Sequence, residues 1–368
     1  MRHLCMSNLQ PVLSKNFLEA CIASVLSATA MFCCPGDENF LPSYTSYNIV
    51  RVYRLFQGIS QREGSMKIGK ACIIGGSGFV GRYLAHRLSA MGCSVVIPTR
   101  RLTQTRQNLV LPGLKMVKAD VHDAAELEPI VAGMDAVINL AGILRGDFTA
   151  VHVELPRKIV AACRRNGIKR LLHMSALNAR RDGPSEYLRS KAAGEQEVME
   201  SGLTTTIFRP SVIFGEGDAF LALFARLTRF FPVFPLASPG ARFQPIFVGD
   251  VAHAFSTSLA DPATFGQSYD LCGPKIYTLK QLVQYVVQIT GHHSMVIGLN
   301  DRLSYLQALM MEHMPGKLIT RDNYYSMKID SVCNCGATEK FQAVFGSPLV
   351  ELEEAAPLYL ARIPSGAI

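Results

Sequence analysis

Tyr187 and Lys191, four residues apart in Tyr187-Leu188-Arg189-Ser190-Lys191, are the side chains in this sequence best suited to proton chemistry. On a helix they share a face. An ammonium placed there can hold a ribose hydroxyl and lower the proton affinity of a phenol that otherwise titrates at about pH 10. Ser175, in His173-Met174-Ser175-Ala176-Leu177, adds a hydroxyl able to polarise a carbonyl. The same spacing recurs at Tyr324 and Lys328, so the motif alone arises easily. Position separates the two pairs: only Tyr187 follows a serine at the end of an apolar run, and Tyr324 with Lys328 reads as structural.

A second constellation suits phosphate. The stretch IIGGSGFVGRYLAHRLSAMG, residues 73–92, sets Gly75, Gly78 and Gly81 between a short apolar run and an amphipathic one. At a strand-to-helix turn the first glycine permits the tight bend, the second lets backbone approach a diphosphate, and the third lets the helix pack closely. Gly75, Ser77, Gly78, Phe79, Val80 and Gly81 are the candidate phosphate cradle, with the helix N-terminus supplying free N–H groups.

About 20 residues further on, an acidic residue would select NAD(H). Here stands Ile97-Pro98-Thr99-Arg100-Arg101. Arg100 and Arg101 could grip a 2′-phosphate, which favours NADP(H), or be a solvated pair at a strand end. Asp120-Val121, ending a third strand, could accept from an adenine amine or simply cap a loop. Leu140, Ala141 and Gly142, in Asn139-Leu140-Ala141-Gly142, are small enough to pass beneath a ribose and diphosphate.

The elements that must position these groups read regularly from residue 67. Apolar runs at 71–74, 94–97, 115–118, 135–140, 170–174 and 204–208 alternate with helix-like segments. That is the pattern of a parallel sheet with crossover helices. The fold class is therefore α/β: a Rossmann-like doubly wound parallel sheet with a smaller C-terminal substrate-binding part. Val80, Leu84 and Leu88 share one face of the first helix, and Gly92 stands where it should end. Alternation becomes irregular after about residue 215, where Thr278-x-x-Gln281 signals a capping box. The expected division is an NAD(P)-binding domain over 66–215 and a mostly substrate-binding part over 216–368, some of whose strands return to the main sheet.

Residues 1–65 fit neither part. Their uncharged run, 20–34, is too short to span a bilayer. Arg2 and Lys15 before it allow a secretory signal, but no clean small-x-small cleavage pattern precedes Pro35. The alternative is a poorly structured extension upstream of a true start at Met66. Net charge is +8 without a basic run of five, which suits an anionic cofactor or membrane surface and not a nucleic-acid tail. Ten cysteines show no CxxC pair and a single CxC, Cys333 and Cys335. They read as reduced thiols of a cytosolic protein, with neither a disulfide framework nor a metal site. Residues 219–238 place Phe220, Phe224, Leu227 and Phe231 at helical spacing beside Arg226 and Arg229. Such a stripe is core or substrate lining, or a membrane or partner contact. Met310, Met311 and Met314 read as core residues, with an adaptable apolar wall as the alternative.

Taken together, GxxGxxG, the small residues of Asn139–Gly142, Ser175, YxxxK, Arg209-Pro210-Ser211-Val212-Ile213-Phe214-Gly215 and the run from Gln244 to Ala252 resemble an extended or atypical short-chain dehydrogenase/reductase. The wording "GGSGFVGRYL", "VIPTRR", "MSAL" and "FRPSVIFGEGD" is most similar to the branch holding the nucleotide-binding accessory subunit of mitochondrial complex I and its bacterial relatives. The resemblance spans roughly 68–350. It implies that Ser175, Tyr187 and Lys191 are catalytic, Lys191 also binding ribose, with Pro210 and Ile213 beside the nicotinamide. It departs at Ser175-Ala176-Leu177, where extended members carry further hydroxyls, which puts the catalytic serine in question. The expectation is an NADP(H)-dependent oxidoreductase or epimerase-like enzyme acting on a hydrophobic or quinone-related molecule. The alternative is a non-catalytic NADPH-binding accessory or assembly factor of complex I or ubiquinone biosynthesis. Either would be cytoplasmic or peripheral on the cytoplasmic face of the inner membrane.

Overall fold

Residues 68–102, 111–314 and 319–361 are described by the structure, a computed structural model. The expectations for 1–65 and for a start at Met66 lie outside the described residues. The strands are β1 (Lys70–Ile74), β2 (Ser94–Thr99), β3 (Leu114–Lys118), β4 (Ala136–Asn139), β5 (Arg170–Met174), β6 (Thr204–Pro210), β7 (Ile213–Phe214), β8 (Val233–Leu236), β9 (Arg242–Phe243), β10 (Ile246–Phe247), β11 (Gln267–Leu271), β12 (Tyr277–Thr278) and β13 (Met295–Gly298). The helices used below are α1 (Phe79–Ala90), α2 (Ala124–Val131), α3 (Leu155–Arg165), α4 (Glu186–Met199), α5 (Phe220–Phe230), α6 (Val248–Ser258), α7 (Leu279–Thr290), α8 (Asp301–His313), α9 (Arg321–Ser326) and α10 (Ala337–Phe345).

Seven strands form one sheet in the order β11-β6-β5-β4-β1-β2-β3, and every pairing within it is parallel. The expected Rossmann-like sheet is thus present. Alternation along β1 explains its two faces. Ala71 and Ile73 join the core beneath α1 and α6, while Cys72 and Ile74 join the core beneath α2 and α3. Val80, Leu84 and Leu88 turn into the first of these cores. Gly92, at φ +79°, ends the α1 turn with its N–H on Ser89 O.

β11 comes from late in the chain yet pairs with β6 from Gln267↔Thr206 to Leu271↔Pro210. A third core lies under α5, β8 and α7, where Phe224 and Leu236 are buried beside Leu282 and Val286. Thr278 and Gln281 form the reciprocal capping box that starts α7. The aromatic stripe is split: Phe224 is buried and Phe220 and Leu227 pack against this core, but Phe231 is half exposed.

The reading of all cysteines as reduced thiols is corrected. Cys272, just past β11, forms a disulfide with Cys333. The cause is topological. Ser331 N–H donates to Arg242 O and Cys333 N–H to Gln244 Oε1, so the C-terminal loop is held against the end of β11. No sequence spacing signals a pairing of residues 61 apart. Cys335 stays free and exposed, while Cys72, Cys93 and Cys163 are free and buried. Among the described residues no helix is long and apolar enough to cross a membrane.

Candidate active site at the carboxyl ends of the strands

β1 and β4 are neighbours from which the chain departs to opposite faces of the sheet. Ligands of such sheets lie in the crevice that this divergence opens. Gly75, at φ +82°, begins the turn after β1, and a Cβ there would stand 3.0 Å from Ala141 N. Gly78 caps α1 in extended conformation and donates its N–H to Gly75 O at 3.0 Å. A Cβ on Gly81 would meet Gly76 Cα and O at 2.5 Å, so the first turn of α1 rests directly on the loop. That turn holds no acidic residue and no side-chain cap. Its amides and positive dipole end are left for an anion beside Ser77, Phe79 and Val80.

Arg100 and Arg101 follow β2 and are exposed. Arg101 N–H donates to Thr99 Oγ1 at 3.3 Å. Asp120 and Val121 lie just beyond the end of β3, which closes at Lys118. Asp120 Oδ1 accepts from His122 N–H, and Asp120 N–H donates to Glu126 Oε2. Leu140 is buried and continues the β1 ladder through its N–H to Ile74 O.

Lys191 ties the strand ends together. Its ammonium donates to Met174 O at 3.1 Å and Ala141 O at 3.5 Å, and a Cβ on Gly142 would stand 3.1 Å from Nζ. Burial, opposed by the Glu195 carboxylate, lowers its pKa to about 8. Pro210, at the end of β6, accepts Leu177 N–H, and Ile213 pairs with Ile246 across β7 and β10. Ser175 is buried with its N–H on Phe208 O, while its Oγ, like His173 Nε2, has no partner among the described residues. Two orphaned polar atoms beneath one crevice fit a ligand that completes them.

The expected effect of Lys191 on Tyr187 is corrected. The phenol is not lowered but pushed up to about 12, first by burial and then by the Asp322 carboxylate. The Tyr187 ring packs against Phe148 and His152, with centroids at 6.1 and 5.6 Å, while the Lys191 ammonium turns to backbone carbonyls. A shared helical face did not direct the ammonium to the phenol: its donations go to Met174 O and Ala141 O. Tyr324 and Lys328 are structural: both reach Asp301, and Lys328 lies 4.6 Å over the Tyr324 ring.

Sequence reasoning missed five supporting groups. His152 lies in a π-helical turn, Ala150–Glu154, before α3. Its Nε2 accepts Ile143 N–H, so the neutral ring carries its proton on Nδ1 and donates to Ser190 Oγ at 2.9 Å. Ser190 in turn donates to Tyr187 O. Phe148 stacks on His152. A Cβ on Gly194 would come 1.6 Å from His152 O, which is why α4 carries a glycine there. An isolated glycine inside a helical pattern is the one sequence signal of this contact. Asp322, in α9, accepts Glu186 and Tyr187 N–H and so caps the helix that carries the tyrosine.

The family model described as NAD(P)H-binding matches residues 75–219. A mouse protein named NADH dehydrogenase [ubiquinone] 1 alpha subcomplex subunit 9, mitochondrial, is 37% identical over 230 residues, 60% of this chain and 61% of its own length. The chain thus spans about three-fifths of this curated relative. A ceramide reductase of Caulobacter vibrioides is 31% identical over 194 residues, 50% of this chain and 59% of its own length. Among solved structures, the NADPH-dependent quinone oxidoreductase of Escherichia coli complexed with NADPH superposes with a TM-score of 0.64 at 20% identity, covering 79% of this chain and 99% of that one. The matched family model, the sheet and the glycine turn agree: residues 75–219 match an NAD(P)H-binding domain and lie on a Rossmann-like parallel sheet.

Proposed function

We propose that the chain binds NADP(H) and holds it as a long-lived ligand, serving as a nucleotide-binding accessory or assembly factor of a respiratory NADH–ubiquinone system. The observation that carries this reading is Tyr187, whose buried ring packs against Phe148 and His152 while the Lys191 ammonium donates to Met174 O, burial and the Asp322 carboxylate pushing the phenol up to about 12. A general acid/base works best with a pKa near the operating pH, and a raised phenol is poorly matched to that role. Gly75, Ser77, Gly78, Phe79, Val80 and Gly81 hold the diphosphate, and Arg100 and Arg101 take the 2′-phosphate. Asp120 and Val121 border the adenine, Leu140, Ala141 and Gly142 the ribose side, and Lys191 binds the ribose with Pro210 and Ile213 beside the nicotinamide. The name of the mouse relative supports the respiratory partner, and a peripheral location at a membrane accords with such a partner.

A second reading rests on the unpartnered Ser175 Oγ. It is an oxidoreductase or epimerase-like enzyme acting on a hydrophobic carbonyl or quinone-related molecule. Ser175 polarises the carbonyl, Tyr187 moves the proton and Lys191 orients the ribose, the bound nicotinamide supplying hydride chemistry. The ceramide reductase relative supports a hydrophobic substrate.

Fluorescence titration with NADPH and NADH, followed by single-turnover oxidation of bound NADPH with a short-chain quinone, tests both. Tight NADPH binding that Arg100→Ala with Arg101→Ala weakens about tenfold, and no oxidation, supports the first reading. Turnover abolished by Tyr187→Phe supports the second and overturns the first. Failure to bind either nucleotide overturns both.

A further inference from the structure

Away from the strand ends, the C-terminal lobe leaves apolar side chains where a soluble surface would be polar. β8 and β13 pair in parallel, with Val233 opposite Met295 and Pro235 opposite Ile297. In a two-stranded sheet covered on one side, alternate residues meet the core and the others face water. Phe234 and Leu236 do meet the core, at 7% and 2% exposure. Their alternates are apolar too: Val233, Met295 and Ile297 are 46%, 60% and 44% exposed. The end of α5 adds Phe230 and Phe231, at 58% and 50%. α8 is anchored alongside through Gln307 Nε2 to Pro235 O, and its outward stripe of Leu303, Leu306 and Met310 is also exposed.

On the α5–β8 and β13 segments of this face the charge has one sign. No aspartate or glutamate occurs from 219 to 249 or from 271 to 300. Arg226 and Arg229 are exposed on α5, and the Arg229 guanidinium lies 5.5 Å over the Phe230 ring. The nearby carboxylates of α8 are engaged elsewhere, Asp301 with Lys328 and Glu312 with Arg321. An apolar face rimmed by arginines matches the boundary between acyl chains and anionic headgroups. A second copy would bring the same positive rim against itself.

We infer that this face docks on an anionic phospholipid surface, with Phe230, Phe231 and Met295 entering the headgroup boundary and Arg226 and Arg229 meeting lipid phosphates. The inference stands apart from the nicotinamide site, because none of these residues belongs to it. The chain contains no tryptophan, so Phe231→Trp in the full chain is a single reporter of insertion. Its emission should shift to the blue on vesicles of phosphatidylcholine with phosphatidylglycerol and not on phosphatidylcholine alone. Adding Arg226→Gln and Arg229→Gln should weaken partitioning roughly 25-fold, about fivefold for each charge near the surface. Vesicle binding without nucleotide binding would still support docking and would remove only the nicotinamide reading. An unshifted emission in folded protein, equal shifts on both vesicles, or a shift that follows protein and not lipid concentration, as in self-association, would overturn the inference.

Discussion

Replacing Gly78 by alanine separates what the glycine loop does for the fold from what it does for a ligand. Gly78 has φ −77°, open to any residue, and among the described residues the only atom near a new Cβ is Gly75 O at 3.1 Å. Alanine is a poorer N-cap than glycine, so the folded state should lose about 1 kcal/mol. The new methyl would stand at the mouth of the uncapped helix, where a diphosphate must approach. Losing one charge-assisted hydrogen bond there costs about 1.5–3 kcal/mol, roughly a 10- to 150-fold rise in the NADPH Kd. Gly81→Ala differs, because its Cβ would sit 2.5 Å from Gly76 Cα and O, backbone that cannot swing aside. It should lose about 1–3 kcal/mol of stability as well as affinity. Gly92→Ala is the control: at φ +79° with no atom within 4 Å, it should cost about 1 kcal/mol of stability and leave the Kd unchanged. Denaturant melts and fluorescence titrations on the three variants separate these effects. A folded Gly78→Ala protein that binds NADPH within about twofold of the parent would refute the assignment of the loop to phosphate.

Two further expectations concern stability. Burial, with neighbouring cations as the smaller cause, lowers the pKa values of His152 and His173 to about 3 and of His253 to about 4. The unfolded chain binds protons on these residues from about pH 6.5 downward while the folded one does not, so stability falls on acidification below about 6.5 and its slope flattens near 3 to 4. Each histidine contributes at most about 1.4 kcal/mol per pH unit. Urea melts should therefore show a steeper acid loss in the parent than in His253→Gln, and equal slopes would refute the account. The Cys272–Cys333 bond closes a loop of 61 residues, worth about 4 kcal/mol in the chain-entropy description. Cys272→Ser should lower stability by that order in denaturant melts under oxidising conditions and match the parent once both are reduced.

Much of this architecture was legible because it is local. The strand runs, the α1 face of Val80, Leu84 and Leu88, the glycine turn and the Thr278–Gln281 box each depend on residues close in sequence. What escaped depends on pairs brought together only by the finished sheet. Cys272 meets Cys333 because β11 returns to β6. Asp322 reaches the Tyr187 helix from α9. The spacing of Tyr187 and Lys191 placed both on one helix, but rotamers and burial decided that the ammonium would serve the Met174 carbonyl and not the phenol. The aromatic stripe was ambiguous for a similar reason. One period held buried Phe224 and exposed Phe231, and only the packing of β8 and β13 distinguishes them.

The return of β11 also governs how the chain can be cut and made. A fragment ending near residue 215 would contain every glycine and strand end of the nucleotide site, yet it would leave β6 as a bare edge. That edge would present unpaired amides and carbonyls from Thr206 to Pro210, the positions that β11 now covers. Bare edges recruit other strands, so such a fragment should self-associate. On the ribosome the same edge stays open until Leu271 has emerged, which makes the nucleotide-binding half dependent on residues translated long after its own.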